Sequence, residues 1–530
     1  MAFRWAPPDA AMASRPADPV RASLDALRPL TASEERIVAD LAVGEFDRLG
    51  DGLRPDTDDP AREVRAAFLR FLILGGDERH RPHEKGVRVS GGWISGVLDL
   101  EGARIPRDIG LTDCRFAATP VLRYAVVDNL FLDGSSLPGL EAERLEARGG
   151  VTLKGASVTG EVRLSGSRLD GNLSLDGATI SCAGGTALVA DGIQVRAVEM
   201  RGATITGETR MTAAQVDGDF DVTGSQLSNP GGSGLLLNRT GIRGGFFLRR
   251  NARIDGTLDL TGASIDTLHD DEHSWPAPGN LLLNRCLYNA LLGGPVDSAR
   301  RLRWLARQTP KRWAEDFWPQ PYERLAFVLR EMGHDEDARA VLVEKERLQR
   351  AARRARATNP VVRLALKTMD GLLWMTVGYG RRPLLAFAWL FLFWALGTGI
   401  FAFAQSKAAL KPNSPVVLRA AEWIMCGVPQ GEERVLATGP AMGRAAPGQS
   451  QMVCFLAQPE ASSYPAFNAA MYSLDTLFPV LEIGQKSYWR PDPDQPWGAA
   501  VMGYYYFQAL IGWVLSLLAI AGFSGLVRTN

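Results

Sequence analysis

The sequence predicts a mainly β solenoid, a right- or left-handed β-helix with α-helical caps, followed by a two-helix transmembrane hairpin. Three observations carry that prediction. The pattern Gly-x-φ-x-φ-x-Gly, with φ apolar, recurs every eleven residues: Gly149, Gly160 and Gly171 open successive units, Val151/Leu153, Val162/Leu164 and Leu173/Leu175 are the apolar pairs, and Gly155, Gly166 and Gly177 close them. Two later stretches, 384–404 and 498–527, hold no charged residue and reach the roughly 20 apolar positions a bilayer crossing needs. Between the repeats and the first of these stretches, apolar residues recur at helical spacing. A unit so short cannot bury its own apolar face, so neighbours must stack into one continuous core.

The 530 residues leave room for roughly three or four units of ~100–200 residues each. In order, 1–30 reads as a disordered Ala/Pro-rich lead, 31–85 as an N-terminal helical cap, 86–293 as the solenoid and 294–358 as a cytoplasmic helical pair. An interfacial amphipathic segment follows at 359–382, then a first span at 383–404, a loop at 405–497 with a pore-loop-like stretch at 466–484, and a second span at 498–527. The opening residues lack an apolar h-region, which places the N-terminus in the cytoplasm. Charge balances at 59 basic against 59 acidic residues, so nothing global argues for nucleic acid.

The cap begins with capping candidates before Glu34 and Glu35 and predicts a helix over 31–49. A second helix is expected from Asp59-Pro60 to the glycines at 75–76, with proline at a permitted first position. Within a solenoid unit, Val162 and Leu164 point inward, Glu161, Arg163 and Ser165 outward, and Leu169 returns inward after Gly166. Two longer excursions, SCAGGTALVADGIQVRA and SNPGGSGLLLNRTGIRGG, break the register and predict loops or an added strand on one side, the default binding face. Leu325, Val328 and Leu329 are then set against Ala338, Val341 and Leu342 across Gly333, like one tetratricopeptide unit. One such pair needs a surface to dock on.

Arg347, Arg350, Arg353, Arg354 and Arg356 continue this last helix, and Arg381 and Arg382 stand directly before the first span. So close to a span, contact with anionic lipid headgroups is favoured over a solvated helix face. With Arg363 and Lys367 before the first span and Arg528 after the second, the positive-inside rule puts both ends in the cytoplasm and 405–497 on the far side, the periplasm of a bacterium. Cys426 and Cys454 fall in that loop and are candidates for a disulfide. Cys114, Cys182 and Cys286 lie among the repeats and read as small buried residues.

Thr376-Val377-Gly378-Tyr379-Gly380 spells a potassium-filter string, but it precedes the first span and reads as an interfacial turn. The outer loop is the correct place for a pore segment. There, Tyr472-Ser473-x-x-Thr476 followed by Val480 has pore-helix spacing, while Leu481, Glu482, Ile483 and Gly484 replace a glycine-alternating filter. Asp475, Thr476 and Glu482 are the candidate pore-lining residues, the two acids as a cation-favouring ring in an oligomer. The alternative, ordinary carboxylates on a short amphipathic helix, is favoured.

Phosphate-loop, nucleophile-elbow, HExxH and dinucleotide motifs are absent. His269 and His273 flank Asp270, Asp271 and Glu272 at metal-ligand spacing, but a solvated acidic loop is the favoured reading. No catalytic, cofactor or metal residue is assigned, and His80 and His83 receive no role.

The whole chain resembles a group of bacterial membrane proteins in which a pentapeptide-repeat-like β-helix precedes a helical pair and a C-terminal two-span membrane region. The residues that carry the resemblance are the repeats, WPQPYERLAFVLREMGHDEDARAVLVEKE, GYGRRPLLAFAWL, YSLDTLFPVLEIGQKSYW and the closing GWVLSLLAIAGFSGLV. The resemblance implies architecture and supplies no reaction; that to pore-loop ion channels is partial. Two functional expectations follow. One is a non-enzymatic bacterial inner-membrane protein whose cytoplasmic solenoid is a protein-interaction or assembly scaffold, with the membrane, anionic lipid and an unidentified cytoplasmic protein as partners. The other is a divergent homo-oligomeric pore-loop channel with a solenoid gating domain.

Overall fold

The computed structural model describes residues 23–377, 384–428, 444–478 and 480–523. The chain divides into two compact units, Met1–Lys345 and Glu346–Asn530. The first is built around a parallel β-solenoid of about 9 turns.

Val151 pairs with Leu173 and Leu140 with Val162, so two eleven-residue units make one coil. Each coil has four short sides. Glu146–Ala147 and Val151–Thr152 belong to one sheet, Ser157–Val158 and Val162–Arg163 to the other. The two glycines of a unit do different jobs. Gly166 turns a corner at φ +67°, where a side chain would strain the backbone. Gly171 instead lies against the previous coil: a Cβ there would sit 2.7 Å from the carbonyl carbon of Gly149.

Val162, Leu164 and Leu169 are buried, as alternation demands, while Arg163 is exposed. The residue after most corners is small and enclosed, whereas Leu145 and Ile193 take this place after Arg144 and Gly192. Ser167 fills this place by donating to the Ala142 carbonyl at 2.8 Å and accepting from the Leu145 amide at 3.1 Å. Cys114 and Cys286 occupy equivalent positions after the left-handed residues Asp113 and Arg285. Burial pushes both thiols up to about 12, so they serve as small apolar fillers.

The N-terminal segment differs from two uninterrupted helices. Helix α1 covers Ala32–Asp40, capped reciprocally by Thr31 and Glu34, and stops early because Asp47–Arg48 is recruited as a strand beside Val89 and Ser90. The segment expected as a second helix from Pro60 begins with a 3-10 turn, Pro60–Arg62, then a strand, Glu63–Arg65, paired with Trp93–Ser95. Only Ala66–Ile73 forms helix α2. The buried Glu34 carboxylate accepts from the Arg65 amide and guanidinium, both at 2.9 Å, so this backbone is tied to α1 and not to its own helix. The solenoid edge thus reaches into 31–85.

Burial, followed by repulsion from Asp40, raises the Asp47 carboxyl to about 6. A carboxyl raised in the folded state favours the protonated form, so stability is fullest below its unfolded value near 4 and declines as pH rises through about 6. Asp47→Asn is expected to flatten that decline, read from urea midpoints between pH 4 and 7.

At the other end, α3, Ser298–Leu305, brings Arg301 onto the last coils. Its guanidinium is fully buried and bidentate to Asp270 at 2.7 and 2.8 Å, and it donates to the Pro295 carbonyl at 2.6 Å. Trp275 and Trp304 flank it, and the Trp275 indole N–H donates to the same carboxylate at 2.7 Å. The acidic run, which by sequence alone reads as a solvated loop, is instead built into the end of the solenoid. Ser264–Asp270 is a solenoid strand, His269 stacks on Phe247, Asp271 caps the following turn, and Glu272 pairs with Arg303. Helix α4, Gln320–Glu331, docks on the final strand Leu287–Leu292, with Arg324 donating to the Tyr288 carbonyl at 2.7 Å. Helix α5 follows at Asp335–Arg356; Leu325, Val328 and Leu329 are buried, as are Ala338, Val341 and Leu342.

The second unit holds α6, Pro360–Val377, and α7, Leu384–Ser406. Short helices α8, Pro415–Arg419, α9, Ala421–Cys426, and α10, Gln451–Leu456, lead to α11, Ala469–Leu477, α12, Gln485–Tyr488, and α13, Gly498–Phe523. Two helices, Leu384–Ser406 and Gly498–Ala521, are long and apolar enough to cross a membrane.

Candidate functional site

The strongest candidate is the segment between the two candidate spans, where α11 packs along α7 and α13. An antiparallel strand pair, Leu410–Pro412 with Trp489–Pro491, ties the linked ends of the spans together. From there α11 descends. Tyr472 meets the ring of Phe401 at 4.7 Å between centroids. Ser473, the next residue, donates its hydroxyl to the Trp394 carbonyl at 2.9 Å and accepts from Gln508 at 2.8 Å. Leu477, at the bottom, packs with Leu390 and Leu515. It lies level with Gly512, about 21 Å along α13 from Gly498 at 1.5 Å per residue.

Close backbone approach makes this possible. A Cβ on Gly397 would meet the Ser473 hydroxyl at 2.4 Å, and one on Gly512 the Leu477 carbonyl oxygen at 1.8 Å. Trp394 donates its indole N–H to the Ala470 carbonyl at 3.1 Å. The Gln508 oxygen and the Tyr472 hydroxyl are buried without a hydrogen-bond partner among the described residues. Polar groups inside a span are costly and mark functional positions by default.

After α11 the chain turns back without regular structure. Asp475 organises this return: its carboxylate, fully buried, accepts from the Ile483 and Lys486 amides at 3.2 and 2.9 Å and faces the Lys486 ammonium at 3.5 Å. Asp475 is therefore neither the ordinary surface carboxylate that the sequence favours nor an exposed member of an acidic ring, because it is buried and its acceptor positions are spent on its own loop. Thr476 is likewise turned inward, bonded to the Tyr472 carbonyl at 2.8 Å. Glu482 is exposed at the tip.

Cys426 and Cys454 form a disulfide joining α9 to α10, in a core with Trp423, Phe455 and Trp489. With a sequence separation of 28, its removal by Cys426→Ser with Cys454→Ser is expected to cost about 3 kcal/mol through loop entropy, read as a lower denaturation midpoint of the detergent-solubilised chain.

The basic run is divided. Arg350 and Arg354 are turned to α6, where both pair with the nearly buried Asp370, whereas Arg347, Arg353 and Arg356 are exposed. Arg381, Arg382 and Arg528 lie outside the described residues, as do Gly378, Tyr379 and Gly380. Thr376 and Val377 belong to the last turn of α6 and not to a turn. Its exposed Val361, Leu364, Met369, Leu372 and Trp374 give α6 an apolar surface.

Sequence reasoning missed Gln508, Gly397 and Gly512. Gln508 carries the only amide side chain in α13 and was a usable signal; the glycines were not distinguishable from other small residues. Scans against family models, curated proteins and solved structures each returned no match for this chain.

Proposed function

We propose that this protein is a membrane-anchored scaffold of the bacterial inner membrane, whose solenoid holds a cytoplasmic protein on a lateral face. The observation that supports it is closure of both solenoid ends by the chain's own elements, α2 with strand Glu63–Arg65 at one and α3 with α4 at the other. Only the sides remain for a partner. Among them, the side carrying the excursions within Thr179–Val189 and Gln226–Leu236 departs from regular pairing. A photo-crosslinking residue at Asn229 is expected to trap one protein in cells, and one at Arg148 none. Equal or absent trapping at both overturns the reading.

The exposed Arg347, Arg353 and Arg356, with the apolar surface of α6, support contact with anionic headgroups. Neutralising the three to Gln is expected to weaken flotation with phosphatidylserine vesicles by about 1 kcal/mol per charge.

A second reading, a pore-loop channel, is favoured by the descent of α11 between the spans. Its acidic ring would rest on Glu482 alone. Cation flux from reconstituted chain, lowered by Glu482→Gln, supports it; no flux removes it.

A further inference from the structure

We infer that the groove between α7 and α11 is a seat for one acyl chain of a bilayer phospholipid, held as part of the membrane unit. The inference rests on the membrane-anchor reading above. The groove has a volume of about 360 Å³ and is lined by Phe387, Phe391 and Trp394 of α7 and by Met471, Leu474 and Phe478 in and after α11. Residues 387, 391 and 394 share one helical stripe, and the stretch they cover rises about 10 Å along α7. It begins within one turn of the Leu384 end of a helix long and apolar enough to cross a membrane. Phe387, Phe391 and Met471 are exposed, so the groove opens outward and runs on into the exposed Leu384, Leu392 and Leu396 of the same helix.

The chemistry of the lining selects a lipid chain over a protein segment. Helices that pair in lipid do so through small residues, which let backbones approach, and through polar groups that bond across the contact. Inside the unit α11 meets its neighbours in that way, by Gly397 and Gly512 and by Ser473 with Gln508. The groove has the opposite character. Bulky side chains rim it, and its polar atoms are already engaged: the Trp394 indole N–H donates to the Ala470 carbonyl at 3.1 Å, and the Ser473 hydroxyl to the Trp394 carbonyl at 2.9 Å. An occupant with polar groups would give up its own partners there without replacement. A hydrocarbon chain gives up none, and it fills a slot whose walls would otherwise forfeit dispersion contacts.

The test uses the full-length chain in phosphatidylcholine vesicles that include a phospholipid with a diazirine in mid-chain. After irradiation, acyl adducts are mapped by mass spectrometry. They are expected to be denser on Phe387, Phe391, Met471 and Leu474 than on Leu510 and Leu517, which are exposed on α13 and report ordinary bilayer contact. Leu474→Trp, which fills the groove, should lower the groove adducts several-fold and leave those on α13 unchanged; Met471→Trp repeats the test should Leu474→Trp fail to insert. Groove adducts no denser than those on α13, or unmoved by both variants, overturn the inference. So does a groove free of label beside a labelled α13, the result expected if a protein covers it. Absence of label from α13 as well removes the membrane reading itself, and the inference with it.

Discussion

Replacing Arg301 with methionine is expected to destabilise the solenoid unit by about 3–5 kcal/mol, because it strands the Asp270 carboxylate in a site that water does not reach. Arg301 and Asp270 have side-chain exposures of 0% and 1%, so neither is screened. The loss extends past one ion pair: the Pro295 carbonyl loses its donor, and Trp275 and Trp304 lose the cation between them, with ring centroids 5.6 and 5.3 Å from the guanidinium carbon. Since α3 carries this contact onto the final coils, the variant should expose the solenoid's last strand first. Hydrogen exchange at Leu287–Leu292 and the urea midpoint by circular dichroism would report it. Joint replacement, Arg301→Met with Asp270→Leu, should recover much of the loss, because removing both charges leaves no uncompensated one. A double variant as unstable as the single one would mean that packing, and not charge, holds the end together.

Gly512→Ala is expected to unseat α11 from α13. The added methyl would fall 1.8 Å from the Leu477 carbonyl oxygen and 2.7 Å from its carbon, and backbone cannot swing aside as a side-chain end can. The cost should exceed the ~1–3 kcal/mol of ordinary overpacking. Gly503→Ala in the same helix is the matched control, with nothing within 4 Å of its Cβ, and should be near neutral. Titration with sodium dodecyl sulfate in mixed micelles separates the two. Equal midpoints would show that α11 and α13 are not in the contact described.

Much of the architecture was legible because it is periodic. Alternation assigned Val162, Leu164 and Leu169 to the core without knowledge of their neighbours, since a strand's side-chain period leaves no other arrangement. The charge-free stretches announced helices α7 and α13 for the same kind of reason. Where a local pattern had two solutions, the sequence misled. Residues 60–73 have the composition of one helix, yet Glu63–Arg65 is a strand, because the sheet edge beside Trp93–Ser95 and the Glu34 carboxylate offer its backbone better partners. The run His269–His273 looked solvated because Arg301, distant in sequence, is what neutralises Asp270.

The candidate site was legible only in outline. Its location between two spans followed from hydropathy and from the spacing of Tyr472, Ser473 and Thr476. The role of Asp475 did not, because whether a carboxylate faces a pore or its own loop depends on where Ile483 and Lys486 return.

By itself, the sequence determined the repeating unit, the two apolar helices and the inward-facing residues, all properties set by spacing along one segment. Only the tertiary structure decided that two units make a coil, that strands from the N-terminal segment extend the solenoid, and that α11 runs down between α7 and α13. Each of these depends on backbone groups and glycine surfaces far apart in the chain finding one another at contact distance, which no local pattern encodes.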